Sequence, residues 1–358
     1  MSSIIGIIAF LFMLSFIVVI HELGHFLVAR YFGVYCHEFS IGMGPAIYQK
    51  KGEMTTFSIR AIPFGGYVMM AGENDGSQDE EEGWLKDVPE EQRLYAKSTW
   101  KQILILAAGV FMNILIAWVI FVGLTMYRGY VTGDPLPVVY EVVENSPAQA
   151  AGLKPDDTII ALEADGEKVI LDDQNDMSEF IQYHHNEVDV TVERDGKQFH
   201  TKLTPAYDEE MQGYLIGITS LVDVKEIKWY EAFKYGTKDL IDTTATIYRS
   251  FAMLFRGKGL ENLSGPAGIY SVTTKTVSYG LSSYIALIGI ISLNIGIFNL
   301  IPIPALDGGR IFILLIEKLL GRKVNQKFVE KIIIGSFILL IGLLVFATYI
   351  DLVRMFYK

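Results

Sequence analysis

Long apolar runs dominate the pattern of hydrophobic and polar positions along the chain. Four runs, at about residues 4–30, 103–126, 284–305 and 332–350, have about the 20 residues that a helix needs to cross a bilayer core. The first run has neither a basic leading segment nor a small-residue cleavage site, so we expect a retained helix rather than a secretory signal. The pattern predicts an α-helical polytopic membrane protein with four transmembrane helices.

The segment between the first two runs has a different pattern. Residues 37–74 alternate apolar and polar positions and are punctuated by Gly and Pro, which predicts β-hairpins. The apolar stretch at 62–70 indicates that this β-hairpin region lies against or dips into the membrane. Residues 75–91 are acidic and poor in apolar positions, so we expect a solvated loop there.

The polar stretch between the second and third runs predicts a compact β-rich module at residues 138–205. It contains Asp165-Gly166 and Asp195-Gly196, which are typical two-residue hairpin turns. A short helix is expected around residues 148–151 and a further strand at 213–218. Residues 225–258 are amphipathic, and two interpretations stay open: a helix packed on its own protein, or an interfacial helix. Residues 259–270 predict a structured turn at the membrane surface.

Composition supports a membrane protein and excludes other classes. The 358 residues are 51% hydrophobic, and the mean hydropathy is +0.33. The formal net charge of −11 argues against nucleic-acid binding, because phosphate recognition needs basic clusters. Cys36 is the only cysteine, so no intramolecular disulfide can form.

The distribution of charge predicts the orientation in the membrane. Short loops rich in Lys and Arg stay in the cytoplasm. The stretch after the third run carries six basic residues against Glu317 and Glu330. They are Arg310, Lys318, Arg322, Lys323, Lys327 and Lys331. We therefore expect this stretch and residues 31–102 on the cytoplasmic side, with both termini and residues 127–283 outside the cell.

Eight consecutive regions follow from these patterns. In chain order they are transmembrane helix 1 (1–30), the cytoplasmic-side β-hairpin region with the acidic loop (31–102), transmembrane helix 2 (103–127), the extracytoplasmic β-rich domain (128–222), the amphipathic helix with a membrane-surface segment (223–283), transmembrane helix 3 (284–309), a basic cytoplasmic loop (310–331), and transmembrane helix 4 with the tail (332–358).

Three ionisable residues inside the first apolar run, in the sequence HELGH, indicate a metal centre. On a helix, His21 and His25 lie one turn apart on the same face, so both imidazoles can reach one Zn²⁺. Glu22 lies at the rim of that face, where it can take a proton from water that zinc activates. The alternative is two buried histidines that hydrogen-bond to neighbouring helices. Three costly ionisable groups within one span favour the metal.

Catalytic zinc usually has three protein ligands and one open position. Asp307 is the candidate third ligand, since Pro302 and Pro304 must break the third helix before it and Gly308-Gly309 allows close approach of the backbone. Taken alone, Asp307 fits a solvated helix C-terminus at the interface better than a metal ligand. The predicted orientation places it at the same membrane depth as His21 and His25, which favours a site of two histidines and one aspartate.

These motifs together resemble those of a known family. HELGH on a first span, NLIPIPALDGG (299–309) on a third, and a module between spans two and three resemble the site-2 proteases, in particular the bacterial regulator-of-sigma-E type. SPAQAAGLKPDDTII (146–160) resembles part of a PDZ domain, in the permuted strand order of bacterial membrane proteases. FGGYV (64–68) and GPAGI (265–269) also resemble stretches of this group.

The resemblance implies roles for particular residues. His21, His25 and Asp307 would bind zinc and Glu22 would be the general base. Asn294 and Asn299 match asparagines that engage the substrate backbone, and the segment with Gly42, Met43 and Gly44 resembles a re-entrant β-loop that offers an edge strand to substrate. Asn113 matches a family asparagine, but Val110 replaces the usual proline before it, so we expect only a packing role for Asn113.

The resemblance also implies an activity: intramembrane zinc proteolysis of single-pass substrates in the bacterial cell membrane. Anti-sigma factors or signal-peptide remnants would be the substrates, an upstream site-1-type protease would cut first, and the PDZ-like module would screen the trimmed products. The alternative class is a non-enzymatic scaffold or metal-binding membrane protein with a PDZ-like module. Spans two and four carry almost no ionisable residues, which argues against a metal carrier.

Overall fold

The computed structural model describes residues 2–73, 83–132, 137–171, 174–208, 211, 213–220, 224–257 and 263–356. The chain divides into two compact units, which are described separately. The first contains Met1–Leu124, Gly236–Tyr248 and Glu261–Lys358, and the second contains Thr125–Tyr235 and Arg249–Leu260.

Among the described residues, four helices are long and apolar enough to cross a membrane, as the hydropathy pattern predicted. They are α1 (Ser2–Tyr31), α2 (Thr99–Arg128), α7 (Leu281–Asn299) and α9 (Gln326–Phe356). The second and fourth extend several residues beyond the predicted bounds, because polar residues at helix ends continue the backbone hydrogen bonding without adding to the apolar run.

The third span is shorter than predicted, and the predicted basic loop after it is largely helical. Helix α7 ends at Asn299, before Pro302 and Pro304, which cannot supply backbone N–H groups to a helix. A new helix, α8, begins at Asp307 and ends at Leu320. Asp307 therefore begins a separate helix after an irregular segment, instead of lying at the end of the span.

The predicted β-hairpin region is present as two long antiparallel strands, β1 (Cys36–Lys51) and β2 (Thr56–Met70). Both strands bend, so that β1 residues from Glu38 to Ile41 pair with β2 on two sides. Phe39, for example, pairs with both Phe57 and Val68. The Glu38–Ile41 segment of β1 is thus enclosed by two arms of β2, and the arm that includes Val68 approaches α1.

Part of the predicted acidic loop, residues 75–82, lies outside the described residues. The remainder forms short 3₁₀ turns, at Gly83–Asp87 and Glu90–Gln92, followed by another at Leu94–Ala96. Backbone bonds join this segment to the end of β2: the Leu94 N–H donates to the Ala71 carbonyl at 2.7 Å, and the Ala71 N–H donates to the Tyr35 carbonyl at 2.9 Å.

The second unit contains a four-stranded antiparallel sheet with the order β6-β5-β7-β8. Both predicted Asp-Gly turns are present, with φ of 52° and 78° in the first and 51° and 74° in the second, as a two-residue hairpin with positive φ requires. The strands are β5 (Thr158–Ala164), β6 (Glu167–Ile170), β7 (Val188–Arg194) and β8 (Lys197–Leu203). Alternate apolar residues from β5 and β7, such as Ile159 and Val190, form the core.

Helices and short ribbons complete the second unit. Helix α3 (Pro147–Ala150) lies where a short helix was expected, whereas α4 (Gln174–Tyr183) was not predicted. The antiparallel ribbons are β3 (Tyr130–Thr132) with β12 (Val224–Glu226), β4 (Val139–Val142) with β11 (Ile218–Ser220), and β9 (Ala206–Asp208) with β10 (Gly213–Leu215). The similarity of this module to a PDZ domain and the predicted domain bounds stay predictions.

The amphipathic segment forms helix α5 (Glu231–Phe255), as its periodicity predicted. The turn predicted at residues 259–270 falls partly outside the described residues, and its second half is helical instead: α6 spans Pro266–Ser278. The Asp351 carboxylate of α9 accepts hydrogen bonds from the N–H groups of Gly265 and Gly268 at 2.8 and 2.7 Å. This contact satisfies the N-terminus of α6 and holds α9 against it.

Candidate metal centre

The two histidines of HELGH are buried on α1 and point at each other. Their Nε2 atoms lie 3.1 Å apart, as the spacing of one helical turn predicts. Space for the rings comes from a glycine on α2, because a Cβ on Gly109 would lie 2.4 Å from Nε2 of His25. Gly24 on α1 likewise lets the backbone of α2 approach, since a Cβ there would meet the Ala108 carbonyl at 2.3 Å.

Asp307 joins the histidine pair from the first position of α8. Its Oδ2 lies 3.0 Å from Nε2 of His21 and 3.4 Å from Nε2 of His25. Two glycines allow this approach: a Cβ on Gly308 or Gly309 would lie 2.3 or 2.1 Å from a carbonyl oxygen of the preceding loop. Within the part of the chain that the structure describes, this is the one group of three His, Cys, Asp or Glu residues close enough together to hold a metal ion.

The donor atoms of His21, His25 and Asp307 fit a zinc ion. Ligands about 2.0–2.1 Å from a tetrahedral Zn²⁺ lie about 3.3 Å from one another, close to the three separations observed. The Asp307 Oδ2 atom is buried, yet it accepts no well-aligned hydrogen bond. A buried carboxylate oxygen without such a partner is costly, and a cation between the three donors would satisfy it.

Each histidine also has a partner at its other nitrogen. Nδ1 of His25 lies 2.8 Å from the Ile105 carbonyl, which it can reach only as a donor, so Nε2 is left free to bind metal. Nδ1 of His21 lies 3.3 Å from the side-chain amide of Asn113, a residue that is fully buried. We expected Asn113 only to pack against its neighbours. The structure adds a polar contact between its side chain and a candidate zinc ligand.

The Asn113 amide must present its oxygen to His21 when that histidine binds metal. Metal at Nε2 leaves the proton on Nδ1, which then needs an acceptor. The Asn113 Oδ1 atom is buried and without a hydrogen-bond partner while Nδ2 faces the ring, and a half-turn of the amide exchanges the two atoms. This rotation would give the Nδ1–H of His21 an acceptor and the Oδ1 atom of Asn113 a donor. The sequence signal was a polar residue in an otherwise apolar span.

Glu22 stands apart from the three donor atoms. Its Oε2 accepts a hydrogen bond of 3.1 Å from the N–H of Val68, in the arm of β2 that approaches α1. A backbone N–H fixes the carboxylate without neutralising it, so the other oxygen can accept a proton. This contact assigns a structural role to the FGGYV segment, since Gly66 leaves room for close packing: a Cβ there would meet the Ser40 carbonyl at 2.6 Å.

The predicted substrate-binding residues lie on two other elements. Asn294 and Asn299 are half-buried on α7, and the Asn294 amide donates to the Ile290 carbonyl at 3.1 Å. Gly42 and Gly44 adopt positive φ, 84° and 82°, where β1 bends, and Met43 pairs with Ile62. These assignments stay predictions, as do the roles of the metal ligands and of Glu22.

Comparison with known proteins places the chain in a family. The model of peptidase family M50 matches residues 9–343. The chain belongs to peptidase family M50. It is 35% identical over 346 residues to a Fusobacterium nucleatum protein with the name zinc metalloprotease FN1322, covering 96% of this chain and 97% of the relative. It is 28% identical over 422 residues to the Regulator of sigma-W protease RasP of Bacillus subtilis, covering 98% and 99%.

A third relative agrees with these two. The Zinc metalloprotease RasP of Shouchella clausii is 28% identical over 421 residues, covering 98% of this chain and 99% of the relative. The resemblance to site-2 proteases is thus confirmed, and the M50 protein is a multi-pass membrane metalloprotease of the site-2 type with zinc as its cofactor. The non-enzymatic alternative is not supported.

Proposed function

We propose that this M50 protein hydrolyses a peptide bond in or near the transmembrane segment of single-pass membrane proteins. The observation that carries the proposal is the convergence of His21, His25 and Asp307, two of them inside a candidate membrane span. A hydrolytic centre at that position reaches peptide bonds that soluble proteases cannot.

In the proposed mechanism, His21, His25 and Asp307 hold the zinc. When bound, zinc supplies Lewis acidity for the scissile carbonyl and for the attacking water. Glu22, fixed by the Val68 N–H, accepts a proton from that water at a carboxylate oxygen and returns it to the nitrogen of the leaving amine. Val68 and its strand keep the carboxylate oriented through both transfers.

The substrate must be extended when it reacts, because a helix hides its carbonyl groups. A strand of the hairpin region can supply the backbone partners that an unwound segment loses. Gly42, Met43 and Gly44 are the contacts proposed from the family resemblance, together with Asn294 and Asn299. The β2 arm at Val68 is the part of this region that contacts Glu22.

Substrates and partners are proposed by analogy. RasP of Bacillus subtilis is named a regulator of sigma-W, so membrane-held anti-sigma factors are one proposed substrate class and signal-peptide remnants are another. The PDZ-like module would exclude substrates with bulky outer domains, so that a site-1-type protease acts first. From the loop charges, the proposed location is the bacterial cell membrane, with both termini and this module outside and the active site toward the cytoplasm.

The test uses the full-length protein in detergent with a single-pass substrate. Glu22→Gln should retain zinc, because Glu22 is not a proposed ligand, and should cleave about 10²–10⁴-fold more slowly. Glu53→Gln, an exposed change in the turn between β1 and β2, is the matched control and should cleave normally. Undiminished cleavage by Glu22→Gln would refute the mechanism.

A further inference from the structure

An ion pair joins α8, the helix of the candidate third zinc ligand, to Glu73 in the segment that follows β2, the strand whose Val68 N–H holds Glu22. Arg310 lies one turn after Asp307 on α8, and its guanidinium donates to the Glu73 carboxylate at 2.6 Å. The second terminal nitrogen of Arg310 donates to the main-chain carbonyl of the same residue at 2.9 Å. Both side chains are about 30% exposed, at 29% and 30%.

Glu73 is a firm attachment point because the end of β2 is held on several sides. Backbone bonds from Ala71 to Tyr35 and from Leu94 to Ala71 fix the chain just before it. Five residues before Glu73, the Val68 N–H holds Glu22. The Arg310–Glu73 pair therefore links α8 to α1 through the end of β2, in addition to the direct approach of Asp307 to the histidine pair.

The start of α8 needs such an attachment. Asp307 follows an irregular segment, and Gly308 and Gly309 pack mainly against carbonyl groups of that same segment, at Leu300 and Ile303. These contacts shape the turn but do not tie it to α1. Apart from Asp307 itself, Arg310 provides a tie in the first turn of α8 to the elements that carry the catalytic residues.

We propose that Arg310 and Glu73 are positioning residues that hold the Asp307 carboxylate at the histidine pair. The proposal rests on the proposed role of Asp307 as a zinc ligand. An exposed ion pair usually adds little to global stability, whereas a forked arginine that also binds a main-chain carbonyl fixes direction as well as distance. Loss of the Arg310–Glu73 pair should therefore weaken zinc binding strongly and lower the unfolding temperature only slightly.

The experiment measures zinc affinity by competition with a chelator, on full-length protein in detergent, alongside the unfolding temperature of the zinc-free form. Arg310→Gln should weaken zinc binding about 10–100-fold, as loss of a ligand's supporting partner does elsewhere. Arg310→Lys should fall in between, since lysine keeps the charge but loses the fork. Should Arg310→Gln fail to fold, Arg310→Lys and Glu73→Gln carry the test.

Lys318→Gln is the matched control. Lys318 lies on the same helix and its ammonium lies 3.9 Å above the ring of Trp100, so this change removes a different tie of α8. Its zinc affinity should stay within twofold of the parent protein. The double variant Glu73→Gln/Arg310→Gln should bind zinc no more weakly than Arg310→Gln alone, because the two residues act as one unit.

Three results would overturn the proposal: unchanged zinc affinity in Arg310→Gln, equal weakening in Lys318→Gln, or additive losses in the double variant. The variant Asp307→Asn tests the assignment of Asp307 as a zinc ligand separately from the positioning role of Arg310 and Glu73. If Asp307→Asn binds zinc normally, the ligand assignment is wrong. If Asp307→Asn loses zinc while Arg310→Gln keeps it, only the positioning role fails.

Discussion

Gly109 and Gly123 of α2 differ in their surroundings, so adding a methyl group to each should have different effects. A Cβ at Gly109 would lie within 2.4 Å of Nε2 of His25, whereas a Cβ at Gly123 would meet nothing within 4 Å. Gly109→Ala should therefore displace the histidine pair and abolish both zinc binding and cleavage. Gly123→Ala should preserve both, because alanine is also the better helix former. Zinc content per chain and cleavage rate check this; full zinc content in Gly109→Ala would contradict it.

Asn113 offers a second test at the scale of one residue. Removing the acceptor for Nδ1 of His21 should weaken zinc binding about 10–100-fold in Asn113→Ala. Asn113→Asp keeps an oxygen in place and should bind zinc more tightly than Asn113→Ala. Ser292→Ala is the control, since Ser292 donates to the main-chain carbonyl of Asn113 and not to its side chain. Chelator competition measures all three; equal affinities in both Asn113 variants would count against the acceptor role.

The candidate site was only partly predictable from single residues. His21 and His25 were predictable because helical periodicity places them together, and Asp307 because two prolines must break the helix before it. Asn113 was not assigned to the metal centre, because an amide at a helix interface has no spacing rule that separates packing from ligand support. Arg310 was counted only as a loop charge, since its partner Glu73 is distant in sequence.

At the scale of elements, an ion pair between a buried aspartate and a partly exposed arginine joins two parts of the second unit. Asp157 is fully buried and accepts two hydrogen bonds from Arg194, at 2.6 and 2.7 Å, and one from the Lys154 N–H at 2.8 Å. Burial raises the pKa of Asp157, but these hydrogen bonds outweigh it, so the pKa lies below its usual value. The carboxylate therefore stabilises β5 and β7 whenever it is ionised.

The lowered pKa of Asp157 makes the stability of the second unit depend on pH. A lowered pKa gives stability that is present above the unfolded-state value of about 3.9 and is lost as pH falls through the lower folded-state value. Asp157→Asn should remove this dependence and speed hydrogen exchange in β5 and β7 at neutral pH roughly tenfold or more. Asp189→Asn, a half-exposed carboxylate on the same sheet, should change exchange little. Matching exchange rates in the two variants would contradict the assignment.

Elements with a strict period were predicted well, and elements set by tertiary contacts were not. The two Asp-Gly hairpins and the four apolar helices follow from local pattern. Helix α8 was missed because its charges suggested a loop, although its apolar residues lie along one face. The start of α6 was missed because its N-terminal N–H groups are satisfied by Asp351, a residue 86 positions beyond Gly265 in the sequence.

The orientation of the whole molecule in the membrane can be tested with introduced cysteines. The native Cys36 is buried, and burial raises its pKa to about 12, so it should not react with a maleimide. If the proposed orientation is right, Lys197→Cys in the second unit should react with a membrane-impermeant maleimide in intact cells, and Lys323→Cys between α8 and α9 should not. After the membrane is opened, both should react. Labelling of Lys323→Cys in intact cells would contradict the proposed orientation.

For the molecule as a whole, loop charge and hydropathy were sufficient to predict the number of spans and to propose their direction. They could not predict the way in which β1 is enclosed by two arms of β2, because each pairing alone satisfies the alternating pattern. Which pairing forms depends on where both strands bend, and that depends on contacts with α1.

The double pairing of β1 constrains the length of the chain as well as its side chains. Ile59 and Gly66 both pair with Ile41, from opposite arms of β2. Inserting one residue in the bend between those arms would leave the first ladder unchanged and shift the second by one position. The N–H of Val68 would then face β1 instead of Glu22. Relatives should therefore tolerate replacement of side chains in this bend more readily than insertions or deletions.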